Sequence, residues 1–292
     1  MRVFLTGGTG FFGLHLLRAL SAAGHEVTAL ARDGARVPSL PGVTALVGDL
    51  CAADTWRAHL GDHQACIHNG LVWGAPEDDL ELYDVRASAR LFAAAAEAGV
   101  VRAIYTSSTA VHRPWSGTMS ASDAPRGVDL YGAAKLSGEA HLWAACAGST
   151  MRGTVVRPGP IVDAPAWPGA ALRLDRRVRA MAESARRGEV LCVEAQGGRQ
   201  LIGADALARL YLALLAHDAP PHTLVAVAPR VVPWTEVAAA AIRRAGRGTL
   251  EVVPGGEPAP RFDVSSTERA LGPIEDAAPA LERALAAVIT GG

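Results

Sequence analysis

Short apolar runs alternate with helically spaced segments along the first half of the chain. Val3-Phe4-Leu5, Val27-Thr28-Ala29-Leu30, Val43-Thr44-Ala45-Leu46-Val47 and Ala65-Cys66-Ile67-His68 are nearly unbroken apolar stretches of strand length. Ala103-Ile104-Tyr105-Thr106 and Thr154-Val155-Val156 continue the series. Runs with no polar face suit strands covered on both sides, as in a parallel sheet. Between them, Leu14 to Leu20 has helical spacing. So do residues 80–98, with Leu82, Val85, Leu91 and Phe92 on one side and Gly99 as the stop. A third helix is expected from Leu130 to about Ala147. Strand and helix alternating in this way predict an α/β fold.

After Pro160 the pattern changes. Residues 161–198 are rich in Pro and Gly and then strongly basic, with Arg173, Arg176, Arg177, Arg179, Arg186 and Arg187. Residues 226–292 are interrupted by prolines and carry short helices, the last over Glu275 to Ile289. Between these stretches, Ile202 to Leu210 reads as a capped helix returning to the first part. The expected organisation is a domain of residues 1–160 plus about 199–225, and a smaller, discontinuous α/β domain from about 161–198 and 226–292. The arginine run could attract an anionic substrate, although a solvated helix face is the commoner origin of such a run.

Chemistry enters first at Thr6-Gly7-Gly8-Thr9-Gly10-Phe11-Phe12-Gly13, which lies between the first strand and the first helix. In that context Gly7 permits a tight turn, Gly10 lets the backbone approach a pyrophosphate, and Gly13 lets the helix pack on the strand. The helix N-terminus then faces the phosphates, with Phe11 and Phe12 in its first turn. The fold class expected is therefore a Rossmann-type, doubly wound parallel sheet that binds a dinucleotide. At the end of the second strand, the position that usually holds a ribose-binding carboxylate is Ala31, and Arg32 follows, with Arg36 nearby. An arginine there accommodates a 2′-phosphate, so NADP is the expected cofactor. NAD stays open, because Asp33 could supply the carboxylate. Asp49 and Leu50 end the third strand, Asn69 and Gly70 end the fourth, and Pro158 ends the sixth, all expected along the cofactor crevice. Asp49 could accept from the adenine amino group or cap a helix. His68 lies inside an apolar run and is expected to be packed.

Leu130-Tyr131-Gly132-Ala133-Ala134-Lys135 sets a tyrosine and a lysine one helical turn apart. A nearby ammonium favours the phenolate, so the pair reads as a general acid/base. Lys135 is the chain's only lysine, every other basic side chain of the Lys/Arg type being arginine. A compact point charge beside a phenol is a task in which arginine does not replace lysine. Ser107-Ser108-Thr109 follows the fifth strand and brings hydroxyls to the same edge.

Bulk properties narrow the remaining choices. A formal net charge of −1 argues against nucleic acid as the main partner. Half of the residues are apolar, yet no run approaches the roughly 18 residues of a membrane span. The N-terminal stretch does not read as a signal peptide, so a cytoplasmic protein is expected. Cys51, Cys66, Cys146 and Cys192 are widely spaced, which suits reduced, packed thiols and no metal site.

With the glycine turn, Ser108 and Tyr131-x-x-x-Lys135 in this order, the chain resembles the extended short-chain dehydrogenase/reductases, the NAD-dependent epimerase/dehydratase family. By that likeness Tyr131 is the acid/base, Lys135 lowers its pKa and holds the nicotinamide ribose, and Ser108 polarises the reacting oxygen. Two positions depart from the family. Asp84 stands where the family has asparagine, and His112 where it has tyrosine. Thr109-Ala110 replaces the acidic pair of the family's dehydratases, and Pro160 the asparagine of many nucleotide-sugar epimerases. The likeness implies an NAD(P)-dependent oxidoreductase interconverting a ketone and a secondary alcohol as small-molecule substrate. The alternatives are a nucleotide-sugar 4-epimerase with resident NAD and a non-catalytic NADP-binding protein. It also implies a homodimer through helices 80–98 and 130–147. Trp73, His112, Trp115, Trp143 and Trp167 are candidates to shape the pocket.

Overall fold

The computed structural model describes residues 1–71 and 80–291, with side chains left out over 80–83. Trp73 and the side chain of Leu82, both named above, lie outside the described residues. The centre is a parallel sheet of seven strands. Five are β1 (Arg2–Thr6), β2 (Glu26–Ala31), β3 (Val43–Val47), β4 (Ala65–His68) and β5 (Arg102–Thr106). Across the sheet the order is Thr223–Ala226, Arg152–Pro158, β5, β4, β1, β2, β3. β1 pairs with both β2 and β4, so strand order reverses beside it and opens a crevice at its carboxyl end. The glycine turn leaves β1 at that point.

The period of two along β1 explains how one strand feeds two layers. Val3 and Leu5 join the cluster formed with α1 (Phe11–Ala22) and the later helix Ala204–Ala216. Phe4 points the other way, into the cluster with α2 (Leu80–Glu97) and α3 (Leu130–Ala147). Each such side chain, fully removed from water, contributes about 1.5–3 kcal/mol. α3 starts where Asp129 caps it, its carboxylate accepting from Gly132 N at 2.8 Å.

The basic stretch is a helix, α4 (Arg176–Arg187), with Val178, Met181, Ala182 and Ala185 buried at i, i+3, i+4 and i+7. Its arginines occupy the remaining faces, whereas Arg173 lies outside it. Three further helices, α5 (Ala204–Ala216), α6 (Trp234–Ala245) and α7 (Ser265–Leu271), precede the last, α8 (Ala278–Thr290). α4, α6 and α8 enclose a second apolar cluster beside the parallel pair Val190–Glu194 and Thr249–Val253. Phe262, Val264 and Ile274 pack instead into the cluster of the main sheet. No described helix is long and apolar enough to cross a membrane.

Candidate active site

A cleft of about 1010 Å³ runs along the carboxyl ends of the central strands. At one part of it the glycine turn is shaped by close backbone approach. Gly7 has φ +71°, and a Cβ there would lie 2.6 Å from the Asn69 and Gly70 backbone. A Cβ on Gly13 would overlap the Gly7 carbonyl. Gly13 therefore sits behind the cleft and locks α1 onto β1. Gly10 differs, because a Cβ there would meet only Gly7 O at 3.5 Å, and the residue borders open cleft. α1 begins beside it with no side-chain cap, which leaves first-turn N–H groups for an anion. Phe11 and Phe12 also line the cleft. This cradle fits a dinucleotide pyrophosphate.

Arg32, Asp49, Leu50, Asn69 and Gly70 all border the cleft. Asp33 does not line the cleft; its Oδ1 accepts from Ala35 N at 2.9 Å to cap a short turn. Asp49 caps a turn, its carboxylate accepting from Cys51 N at 2.9 Å. Gly70 N donates to Thr6 Oγ1 at 3.1 Å. That hydroxyl also meets His68 Nδ1 at 2.7 Å, and His68 Nε2 meets Ser88 Oγ at 2.9 Å. His68 is fully buried, and burial with the nearby Lys135 charge pushes its pKa down to about 3. It is a neutral, packed side chain.

On the other side of the switch point stand Ser108, Tyr131 and Lys135, with Pro158 beside them. Ser108 stands beside Tyr131 and favours its phenolate. Lys135 is 4% exposed, and its Nζ lies 5.1 Å from the Tyr105 ring centroid. That ring fits against α3 because Gly138 leaves it space; any Cβ there would strike the Tyr105 phenol. Burial pushes the Tyr131 phenol above its ordinary pKa, and Asp84 adds to the rise; the Ser108 hydrogen bond and the Arg173 and Arg113 charges pull it back. Burial also lowers the pKa of Lys135, and Asp84 opposes that. Asp84 is 1% exposed and thus acts on both members of the pair.

The far end of the cleft is cationic and aromatic, with Arg113, Trp115, Arg173, Arg199 and Phe262. The Arg199 guanidinium lies 4.7 Å from the Trp115 ring centroid and 5.6 Å from that of Trp234. Arg113 covers Trp115 at 4.9 Å, and Arg177 covers Trp234 at 4.9 Å. Burial pushes the pKa of Arg199 below its ordinary value; Asp175 opposes this, and Arg113 and Arg177 add to it. An anion placed here would relieve that repulsion. Sequence reasoning named Trp115 and Arg173 but missed Arg113, Arg199 and Phe262, which no motif spacing marks. His112 is buried behind the cleft, Trp143 packs on His222, and Trp167 does not line the cleft.

Comparison with known proteins gives a family whose description reads NAD dependent epimerase/dehydratase, matching residues 3–227. A 2-alkyl-3-oxoalkanoate reductase of Stenotrophomonas maltophilia is 32% identical over 155 residues, 50% of this chain and 46% of the relative. A UDP-glucose 4-epimerase of Azospirillum brasilense is 31% identical over 166 residues, 53% of this chain and 48% of the relative. The matched stretch spans less than half the length of either relative. Among solved structures, a UDP-glucuronic acid 4-epimerase of Bacillus cereus in complex with NAD superposes with a TM-score of 0.82 at 18% identity. That superposition covers 99% of this chain and 96% of the other. At such identity the similarity is one of fold.

Proposed function

Because the chain belongs to the NAD-dependent epimerase/dehydratase family, we propose that it is an NADP(H)-dependent oxidoreductase that interconverts a ketone and a secondary alcohol. The observation that carries this reading is the convergence of Ser108, Tyr131 and buried Lys135 on a cleft that also contains the glycine turn. When bound, the nicotinamide supplies or takes up the hydride. Tyr131 gives or takes the proton on the reacting oxygen, and Ser108 hydrogen-bonds that oxygen. Both bonds strengthen as negative charge grows there, which makes them selective for the transition state. Lys135 holds a positive charge behind the phenol. Arg32 borders the cleft while Asp33 is tied to Ala35 N, which supports a 2′-phosphate over a free 2′-hydroxyl.

The arginines at the far end support a substrate carrying an anionic group; Arg113 and Arg199 lie in the expected dinucleotide domain (1–160 plus about 199–225) and Arg173 in the smaller part (about 161–198 and 226–292), so both parts would hold it. These arginines equally favour a second reading, a nucleotide-sugar 4-epimerase, since a diphosphate would meet the same cations. Pairing of α2 and α3 with a second copy is a further proposal, checked by light scattering.

The test is titration with NADPH and NADH, followed by a panel of neutral and anionic carbonyls and a set of UDP-sugars. A reductase consumes NADPH stoichiometrically with an anionic ketone. Epimerisation without net cofactor consumption selects the second reading. Cofactor binding with no turnover of either panel selects a non-catalytic binder and removes the proposal.

A further inference from the structure

Directly behind Ser108 lies a buried charge cluster that the proposed reaction leaves unused. Glu139 follows Lys135 by four residues, as Lys135 follows Tyr131, so one stripe of α3 carries phenol, ammonium and carboxylate. Glu139 is 2% exposed, and both its oxygens are engaged. Oε1 accepts from Ser107 Oγ at 2.5 Å and from Arg157 Nε at 3.0 Å. Oε2 accepts from Arg157 Nη2 at 2.7 Å. Arg157, itself buried, directs Nη1 to His112 Nε2 at 3.1 Å and to Ala121 O at 3.2 Å. His112 therefore accepts as a neutral imidazole. Burial and the Arg157 charge push its pKa down to about 4.

This node ties α3 to the end of β5, to the strand Arg152–Pro158 and to the turn Thr109–His112 that follows Ser108. A buried ion pair contributes little net stability over an apolar pair, so its location is the better guide to its role. Ser107 and Ser108 are neighbours in extended chain, Ser108 having φ −162° and ψ 150°. Consecutive side chains in such a chain point to opposite sides. Anchoring Ser107 on Glu139 thus fixes the direction of Ser108, whose Oγ accepts from Ala110 N at 3.1 Å and which borders the cleft with Tyr131.

We infer that Glu139 is a positioning residue: clamped by Arg157 and His112, its carboxylate holds Ser107 and so sets the angle at which Ser108 meets Tyr131 and the reacting oxygen. The inference rests on the roles proposed above for Ser108 and Tyr131. A shift of about 1 Å at a reacting centre can cost about a hundredfold in rate.

The decisive variant is Ser107→Ala, which removes one hydroxyl and leaves the Glu139–Arg157 pair intact. Ser107→Thr retains the hydroxyl, and Glu139→Gln removes the charge. Two measurements are made on protein saturated with NADP(H): steady-state kinetics on the best carbonyl of the panel, and ultraviolet titration of Tyr131, read against the same variant carrying Tyr131→Phe. S107A is expected to lower kcat by about ten- to a hundredfold with the cofactor KM within about twofold of wild type. It should also raise the Tyr131 pKa, because the Ser108 bond that lowers it is loosened. S107T restores both, and E139Q moves both in the direction of S107A. Wild-type kcat and an unchanged Tyr131 titration in S107A overturn the inference. So does a loss of kcat matched by loss of cofactor affinity and melting temperature, which marks a structural role only. Should the wild type turn over no substrate of the panel, the functional reading fails separately, and the Tyr131 titration alone decides the positioning.

Discussion

At Tyr131 two influences oppose each other, burial on one side and Ser108 with two arginines on the other, and Asp84 adds to the first. Burial raises the phenol's pKa, Ser108 and two arginines lower it, and the Asp84 charge raises both Tyr131 and Lys135. Asparagine at position 84 would remove a negative charge, so the phenolate would form more readily. Alcohol oxidation needs Tyr131 as the base, and its acid limb should therefore move to lower pH in D84N. The pH dependence of kcat/KM for oxidation checks this; an unmoved limb would put the Asp84 charge out of effective reach of the phenol. Arg32 allows a second prediction. Its guanidinium borders the cleft and Asp33 is otherwise occupied, so R32A should lose NADPH affinity by roughly ten- to a hundredfold and leave NADH nearly unchanged. Competitive titration of the two cofactors measures the ratio. The shared helix face of Tyr131 and Lys135 was legible from their spacing, and Ser108 was named through the family likeness; all three border the cleft. Arg113 and Arg199 were not legible, because the indole of Trp115 that both cover brings together residues 86 positions apart by tertiary packing alone.

Among the elements, α1 shows how one motif combines two different requirements for glycine. Gly13 is needed for packing, since a Cβ would overlap the Gly7 carbonyl, whereas Gly10 has room for a methyl group and borders the cleft. Gly13→Ala should lower the melting temperature and abolish cofactor binding together. Gly10→Ala should keep the melting temperature and lose dinucleotide affinity, as read by calorimetric titration and thermal unfolding. Equal melting losses in the two would show that both glycines serve packing. The sheet was legible for a related reason: strands covered on both faces are apolar along most of their length, as β1, β2, β4 and β5 are, and the edge strand β3 shows a similar run although it is largely exposed. The strands Val190–Glu194 and Thr249–Val253 were missed because they are pairwise and largely exposed, with Val190, Cys192 and Glu194 facing outward. Thr249–Val253 is broken by Glu251, and Val190-Leu191-Cys192-Val193, though apolar, follows the basic stretch at the end of residues 161–198. Arg152–Pro158 is longer than the three-residue run at its centre, since its ends pair with neighbours through backbone bonds that composition does not reveal.

The whole molecule joins its parts by polar contacts beside α1. His15 meets Asp205 of α5 at 2.6 Å and the Ala164 carbonyl at 3.0 Å, while Arg18 donates to Ala166 O and to Asp205. Arg283 of α8 adds a pair with Asp163, at 2.8 Å and 3.2 Å. These contacts run from the main sheet's helices to the segment that leads into the cationic end of the cleft. Global stability, however, should be governed below neutrality by two other groups, His68 and His112, both buried and neutral. Their folded pKa values, about 3 and about 4, lie below the ordinary 6.5. Between those values and 6.5 the unfolded chain binds protons that the folded chain refuses, so acidification draws the equilibrium toward unfolding. Stability should be complete above about 6.5 and fall through the window down to about 4 for His112 and about 3 for His68, with a slope approaching roughly 1.4 kcal/mol per pH unit for each histidine. His112→Gln, which keeps an acceptor for Arg157 and cannot take a proton, should flatten that slope by one proton. Denaturant unfolding at a series of pH values measures it. A slope unchanged by the substitution would mean that His112 is protonated to the same extent in both states. In that case Arg157 would face a cation and could not hold Glu139 as the geometry shows.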